Sequence, residues 1–328
     1  MITSKNYHYI QRIAKRTLPF LKKENRFTKI YEQEGRSDEA NEKISQLIQS
    51  KKPFMVARFG STESAAIINY IEKNKEQSDI FAIYRHLKGD LNIFWKQDKK
   101  FLNNLCSLSG FFPNDEKLLS SFVDLMIESA KNLDVLGIWN HLEEYIPHIP
   151  ENTFLCKIRE LEPWFYNNPW SQYLEGKKIL VIHPFEGSIR HQYAKNIRGG
   201  DLYKDKRILP YFKLKTIKAV QTIAEEKSEF RTWFDALEHM KKQIDNIDFD
   251  IAIIGCGAYG FPLASYVKDL GKQAIHLGGV TQLLFGIKGK RWEDWQHYKD
   301  LRADNGKNWI TATEIPAGFH KVEGGCYW

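Results

Sequence analysis

The chain has 328 residues, 42% of them hydrophobic, and a formal net charge of +7, which allows one large or two modest globular bodies with a proper core. No apolar run approaches the ~20 residues needed to span a bilayer, and the first thirty residues lack the apolar core of a signal peptide, so a cytoplasmic location is expected. The four cysteines, at 106, 156, 256 and 326, lie far apart without zinc spacing, which argues against structural zinc and against a disulfide framework.

The whole positive excess sits in the first element. Residues 1–30 carry Lys5, Arg12, Lys15, Arg16, Lys22, Lys23, Arg26 and Lys29 against Glu24 alone, interleaved with Tyr9, Ile10, Ile13, Leu18, Phe20 and Leu21. Residues 1–48 therefore read as a basic N-terminal helical arm. Its first thirty residues read either as a solvated leader helix broken at Pro19 or as a segment suited to peripheral contact with an anionic membrane at its inner face, or with an acidic partner. No zinc-finger, RRM or helix-turn-helix pattern accompanies the charge, so nucleic acid is not an expected partner.

Residues 49–328 read as one Rossmann-like domain with a helical insertion around 85–133. Phe54–Gly60 is a buried strand leading into a helix from Ser61, with Ser61 or Thr62 as N-cap and Ala65, Ile67, Ile68 and Ile71 as the apolar face. In the insertion Phe122, Leu125, Met126 and Ser129 recur at helical spacing, before a short strand at Val135–Trp139. Lys177–His183 is a strong strand, Arg207–Leu214 reads as another, and Trp233–Ile247 as a helix. Asp250–Ile254 then runs into Gly255-Cys256-Gly257-Ala258-Tyr259-Gly260 and a helix, and Lys272–Leu277 is the last strand. Strands alternating with helices imply an α/β fold with a mostly parallel, doubly wound sheet and helices on both faces.

In such sheets ligands bind outside the carboxyl ends of the strands, so the loops there supply the candidates. The G-x-G-x-x-G turn suits a phosphate: Gly255 and Gly257 permit close approach, Gly260 permits helix–strand packing, and the helix start offers free N–H groups, with Tyr259 alongside. A dinucleotide fold wants a carboxylate about 20 residues further on, where this chain has Gln273-Ala-Ile-His276-Leu-Gly278-Gly279. An NAD(P)-binding oxidoreductase is thus the disfavoured alternative. The other loops are Arg58-Phe59-Gly60-Ser61-Thr62-Glu63, with Arg58 and Glu63 weighed against a structural ion pair, and His183-Pro184-Phe185-Glu186-Gly187-Ser188 with Arg190. Lys288, Lys290 and Arg291 concentrate cations suited to a diphosphate. Trp164, Trp170, Trp292, Trp295 and Tyr166 offer rings for sugar stacking or for the core.

The Arg58-Phe59-Gly60-x-x-Glu63 strand end, paired with the late strand, glycine turn, helix and strand ending in His276-x-Gly278, resembles the GT-D-type glycosyltransferases over roughly residues 50–328. His183-Pro-Phe, Leu283–Trp292 and Val322–Trp328 are also similar to uncharacterised proteins of bacterial surface-polysaccharide loci, such as those for capsule or O-antigen. The resemblance implies transfer of a sugar from a nucleotide-sugar donor, a UDP- or dTDP-sugar first, to a glycan or lipid-linked acceptor. It implies Glu63 as base or metal ligand, with Glu186 second, and Arg58 and Arg190 on the diphosphate. Gly60, Ser61, Thr62, His183, Ser188, Gly255, Gly257, Tyr259, Gly260, His276, Gly278, Gly279, Lys288, Lys290 and Arg291 would line the donor. Where the family carries D-x-E this chain has Ser61, leaving Glu63 alone and the need for Mn2+ or Mg2+ open. A third reading is a nucleotide-sugar-binding protein that has lost its chemistry.

Overall fold

Seven short segments become the strands of the main sheet: β1 (Phe54–Ala57), β2 (Val135–Ile138), β3 (Phe154–Lys157), β4 (Lys178–His183), β5 (Lys213–Lys218), β6 (Ile251–Ile254) and β7 (Gln273–His276). They form one parallel sheet in the order β3-β2-β1-β7-β6-β4-β5. The structure, a computed structural model, describes residues 26–73, 100–199, 201–223 and 226–328. Residues 1–25 of the basic arm and 85–99 of the expected insertion lie outside them.

Apart from the edge strand β5, whose Lys213, Lys215 and Lys218 are exposed, the strands are mostly apolar on both sides because helices cover both faces. Met55, Ala57, Leu136, Ile138, Leu180, Ile182, Ala252 and Ile254 face one core. Over them lie α3 (Ser61–Lys73), α4 (Lys100–Ser109), α5 (Glu116–Ala130), α7 (Trp233–Asp245) and α8 (Gly260–Asp269). The alternate residues Phe54, Val56, Val135, Ile179, Val181, Ile251, Ile253 and Ile275 face a second core under α2 (Glu39–Ser50) and α6 (Glu186–Ile197). The short helix α1 (Arg26–Glu32) precedes α2. Residues 39–48, grouped with the arm in the sequence reading, make up most of α2, whose Ala40, Ile44 and Ile48 are fully buried.

Two strands of this sheet differ from expectation, and a separate parallel pair, Ile287–Lys288 with Ile310–Thr311, was not expected at all. The strand expected at Arg207–Leu214 lies at Lys213–Lys218, because Pro210 has no N–H for a ladder and Asp205 caps a 3-10 turn over Lys206–Ile208 through Arg207 N. The short edge strand β3, half-buried at both ends, was not anticipated.

The topology fixes where a ligand can sit. From β4 the chain moves outward to β5, whereas from β6 it moves the opposite way to β7, so the loops after β4 and β6 diverge and leave a crevice at their carboxyl ends. Phe59, just past β1, stacks on Phe261 of α8 at 4.1 Å between centroids, which holds the first loop against the glycine turn. Trp233 stacks on Tyr259 at 4.9 Å, backing that turn from the other side. Helix α7 begins squarely under it with a capping box, Thr232 and Asp235 bonding each other's backbone N–H.

Candidate functional site

The loops after β1, β2, β4, β5, β6 and β7 open onto one cavity of about 250 Å³. The end of α4, at Leu108–Gly110, closes one side, and Glu323 and Tyr327 of the C-terminal segment close another. That segment is tied in place. Gln282 Nε2, in α9 (Thr281–Leu284), donates to Tyr327 O and Lys288 O at 2.9 Å each, and Arg291 N, in α10 (Lys290–Glu293), donates to Cys326 O at 3.0 Å. Gln282 Oε1 is buried without a hydrogen-bond partner, a free acceptor in the cavity wall.

Arg58 dominates the electrostatics. Its Nε is buried and has no hydrogen-bond partner, and it forms no ion pair with a described residue. The guanidinium lies against Gly278, where a Cβ would stand 2.9 Å from Nη1, and its central carbon is 5.6 Å from the ring centroid of Trp139, a cleft-lining residue 47% exposed. Gly278 has φ +68, so a side chain there would be strained as well as crowded. The second cation, Arg291, is paired with Glu323 and donates to Tyr327 OH at 3.4 Å.

Glu63 is the cavity carboxylate without a cationic partner among the described residues. It is 5% exposed and folds back over Gly60, which leaves no room for a Cβ, and it accepts from Thr62 Oγ1 at 2.9 Å. This is the place a helix N-terminus favours for a negative charge. The structural ion pair between Arg58 and Glu63, the alternative to a functional role, is not formed. Beneath Trp139 a second carboxyl group, Glu143, is fully buried; its Oε1 accepts from Trp139 N at 3.1 Å and its Oε2 has no partner. Burial pushes its pKa up to about 8, opposed by the bond from Trp139 N and by the charge of Arg58.

Of the residues named from sequence, Arg58, Gly60, Ser61, Thr62, Glu63, His183, Gly255, Gly257, Tyr259, Gly278, Gly279 and Arg291 line the cavity. The others do not, and each has another partner or place. Glu186 is bonded to Arg190 at 2.7 Å and to Thr216, which removes both Glu186 and Arg190 from the cleft. Ser188 N and its hydroxyl both donate to Glu314, so the start of α6 already holds a carboxylate where a ligand phosphate was expected. His276 is buried below the cleft with Nδ1 3.1 Å from Ile254 O, and its ring fills the space that the missing side chain of Gly260 leaves. Lys288 and Lys290 lie outside the lining, the latter with Nζ 3.5 Å from Gly324 O.

Burial drives both histidines down to about 3, so both are neutral at physiological pH. His183 Nδ1 accepts from Phe185 N at 2.9 Å, which fixes the turn after β4 and leaves Nε2–H as the donor. Burial likewise raises the Cys256 thiol, which opposes a nucleophilic role. Sequence reasoning missed Leu108–Gly110, Val220–Ile223 and the part played by Tyr327. Correct placement of β5 would have exposed the loop after it.

No group of three His, Cys, Asp or Glu able to hold a metal exists among the described residues. Glu63 with the Thr62 hydroxyl falls short of a protein cage, and fits Mg2+ or Mn2+ only where ligand phosphates and waters complete the shell. No helix among the described residues is long and apolar enough to cross a membrane. No protein-family model, curated protein or solved structure matches the chain.

Proposed function

We propose that the cleft binds a nucleotide sugar, a UDP- or dTDP-sugar first, and transfers its glycosyl group to a glycan or lipid-linked acceptor of bacterial surface polysaccharide, as a GT-D-type glycosyltransferase. One observation carries the reading: an arginine with no acidic partner among the described residues faces a cavity at the sheet's carboxyl edge, and a carboxylate with no cationic partner among them lies a few residues away on the next helix. A cation in a half-buried wall without a counter-ion favours an anionic ligand.

In the reaction the bond from the anomeric carbon to the diphosphate oxygen breaks as the acceptor oxygen bonds to that carbon. Arg58 stabilises the charge that develops on the departing phosphate, with Arg291 as the second donor once it turns from Glu323. Glu63 takes the acceptor hydroxyl proton. A divalent ion held by Glu63 would supply further charge neutralisation at the diphosphate. Trp139, Phe185 and Tyr327 provide apolar faces for the base or the sugar ring. We place the reaction in the cytoplasm, with residues 1–30 able to meet an anionic membrane surface.

The test is thermal unfolding against UDP-, dTDP-, GDP- and CMP-sugars, with and without manganese, alongside NAD(H) and NADP(H). A ligand at 100 times its Kd adds about 2.7 kcal/mol, and stabilisation by one nucleotide sugar that Arg58→Gln abolishes is the expected result. Stabilisation by NAD(P) alone would overturn the reading in favour of an oxidoreductase.

A further inference from the structure

Beyond β3, at the carboxyl edge of the sheet that carries the cleft, two arginines bracket a row of aromatic rings. The guanidinium carbon of Arg159, two residues past β3, lies 3.9 Å from the ring centroid of Trp295. His297, in α11 (Gln296–Asp300), stands 5.4 Å from Trp295 on one side and 5.4 Å from Phe165 on the other. The guanidinium carbon of Arg36 lies 3.9 Å from the Phe165 centroid and closes the row. Trp295 is 42% exposed, Arg36 is exposed, and Trp295 stands four residues after Arg291 of the cleft wall.

We propose that this row is a binding site for an acidic saccharide and, on the transfer reading above, the place where the acceptor chain rests.

The unused donors argue for it. An arginine over a ring face keeps its N–H groups in the guanidinium plane, pointing past the ring. Neither the Arg36 nor the Arg159 guanidinium forms a hydrogen bond or ion pair with a described residue, so two forks matched to carboxylates remain available. Of the acids around the row, Glu34, Asp38, Asp294 and Asp300 are exposed and form no ion pair with either guanidinium among the described residues, and Glu160 and Glu162 are buried and turned inward. Glu160 accepts from Ser37 N at 2.8 Å and Lys157 N at 2.9 Å, and Glu162 accepts from Trp164 Nε1 and Tyr298 OH at 3.0 Å each. Burial pushes Glu162 up to about 7, which weakens its charge at neutral pH and leaves the surface more cationic.

The ligand chemistry follows from the alternation. Sugar rings present flat C–H faces that pack on indole, and guanidinium forks recognise a carboxylate; a chain of uronic-acid type offers both at repeating intervals. A neutral glycan would use the rings and leave the forks empty.

The experiment is calorimetric titration of the full chain with trigalacturonate and, as the neutral control of equal ring number, maltotriose, each also with Trp295→Ala, with the double variant Arg36→Gln/Arg159→Gln and with Arg58→Gln. Trigalacturonate should bind about tenfold or more tighter than maltotriose, and the two row variants should each lose about fivefold or more while Arg58→Gln loses none. Exposed Arg36→Gln alone serves as the fold-preserving variant, with a smaller loss. Equal binding of the two saccharides, no binding of either, or loss on Arg58→Gln and not on the row variants would overturn the proposal. UDP titrated into the same proteins reads the cleft separately: its binding survives the row variants if the nucleotide-sugar reading holds, and its absence from the unaltered protein counts against that reading alone.

Discussion

Two glycine turns meet at the carboxyl edge of the sheet, and they put their glycines to opposite uses. In the turn after β6 every missing side chain makes room for the protein itself: a Cβ on Gly255 would stand 2.6 Å from Gly278 O, one on Gly257 2.8 Å from Ser109 O, and one on Gly260 inside the ring of His276. In the turn after β7 the same economy admits cleft-lining side chains, Arg58 over Gly278 and Tyr327 over Gly279, where a Cβ would come 2.5 Å from the Tyr327 ring. A glycine fingerprint therefore reports close approach without saying what approaches. Here the run that best matches a phosphate-binding pattern uses its glycines for packing even where Gly255 and Gly257 reach the cavity wall, while the shorter pair seats the side chains that shape the cavity.

The largest effect expected is chemical. Glu63→Gln should lower the transfer rate by about 10²–10⁴-fold while nucleotide-sugar affinity changes little, read from kcat against Kd. An unchanged rate would remove Glu63 from the chemistry and leave it a helix-start carboxylate. Gly255→Ala breaks the packing turn. We expect a loss of about 3 kcal/mol in urea unfolding, since the new methyl meets a backbone carbonyl and the Thr281 side chain, neither of which can move far. Arg58→Gln, on the cavity side, should spare stability to within about 1 kcal/mol and weaken the nucleotide sugar by roughly 10-fold or more. Stability falling with affinity intact would reverse the roles assigned to the two turns.

The smallest effect is a slope. Glu143 is raised from 4.5 to about 8 in the folded chain, so its contribution to stability is fully present below pH 4.5 and is lost as pH rises through 8. Over that window unfolding releases a proton. Glu143→Gln should flatten that part of the curve of urea midpoint against pH, and an unaltered curve would show that the group is ionised at neutral pH.

Much of the scaffold was legible because buried parallel strands are written as local apolar runs: β1, β4, β6 and β7 all read directly, and Arg58, Gly60 and Glu63 follow from standing where β1 ends. What failed depended on partners far along the chain. Nothing near Ser188 announces that Glu314 claims its N–H and hydroxyl, and nothing near Glu186 shows that Thr216 and Arg190 hold it. The strand expected around Pro210 was displaced by a single missing N–H, and with it went the loop at Val220–Ile223. Trp139 looked like the last residue of a strand, yet the strand stops at Ile138 and the indole turns out to the cleft mouth.

The wall built from Glu323 and Tyr327 carries a consequence for the order in which the site is assembled and lost. It joins loops from the first strand to the far end of the sequence, and contacts of that span, like the β1–β7 pairing beneath them, are among the costliest to close and the later to form. Its fastening rests on Gln282, Arg291, a few backbone bonds over three consecutive left-handed residues, Glu323, Gly324 and Gly325, and the packing of Tyr327 and Trp328 on the rim of one core, while the sheet lies between two apolar cores. Such a segment opens at a lower free energy than the body it is fastened to. Competence to bind is thus a late-maturing property of this chain, and it fades before the fold does.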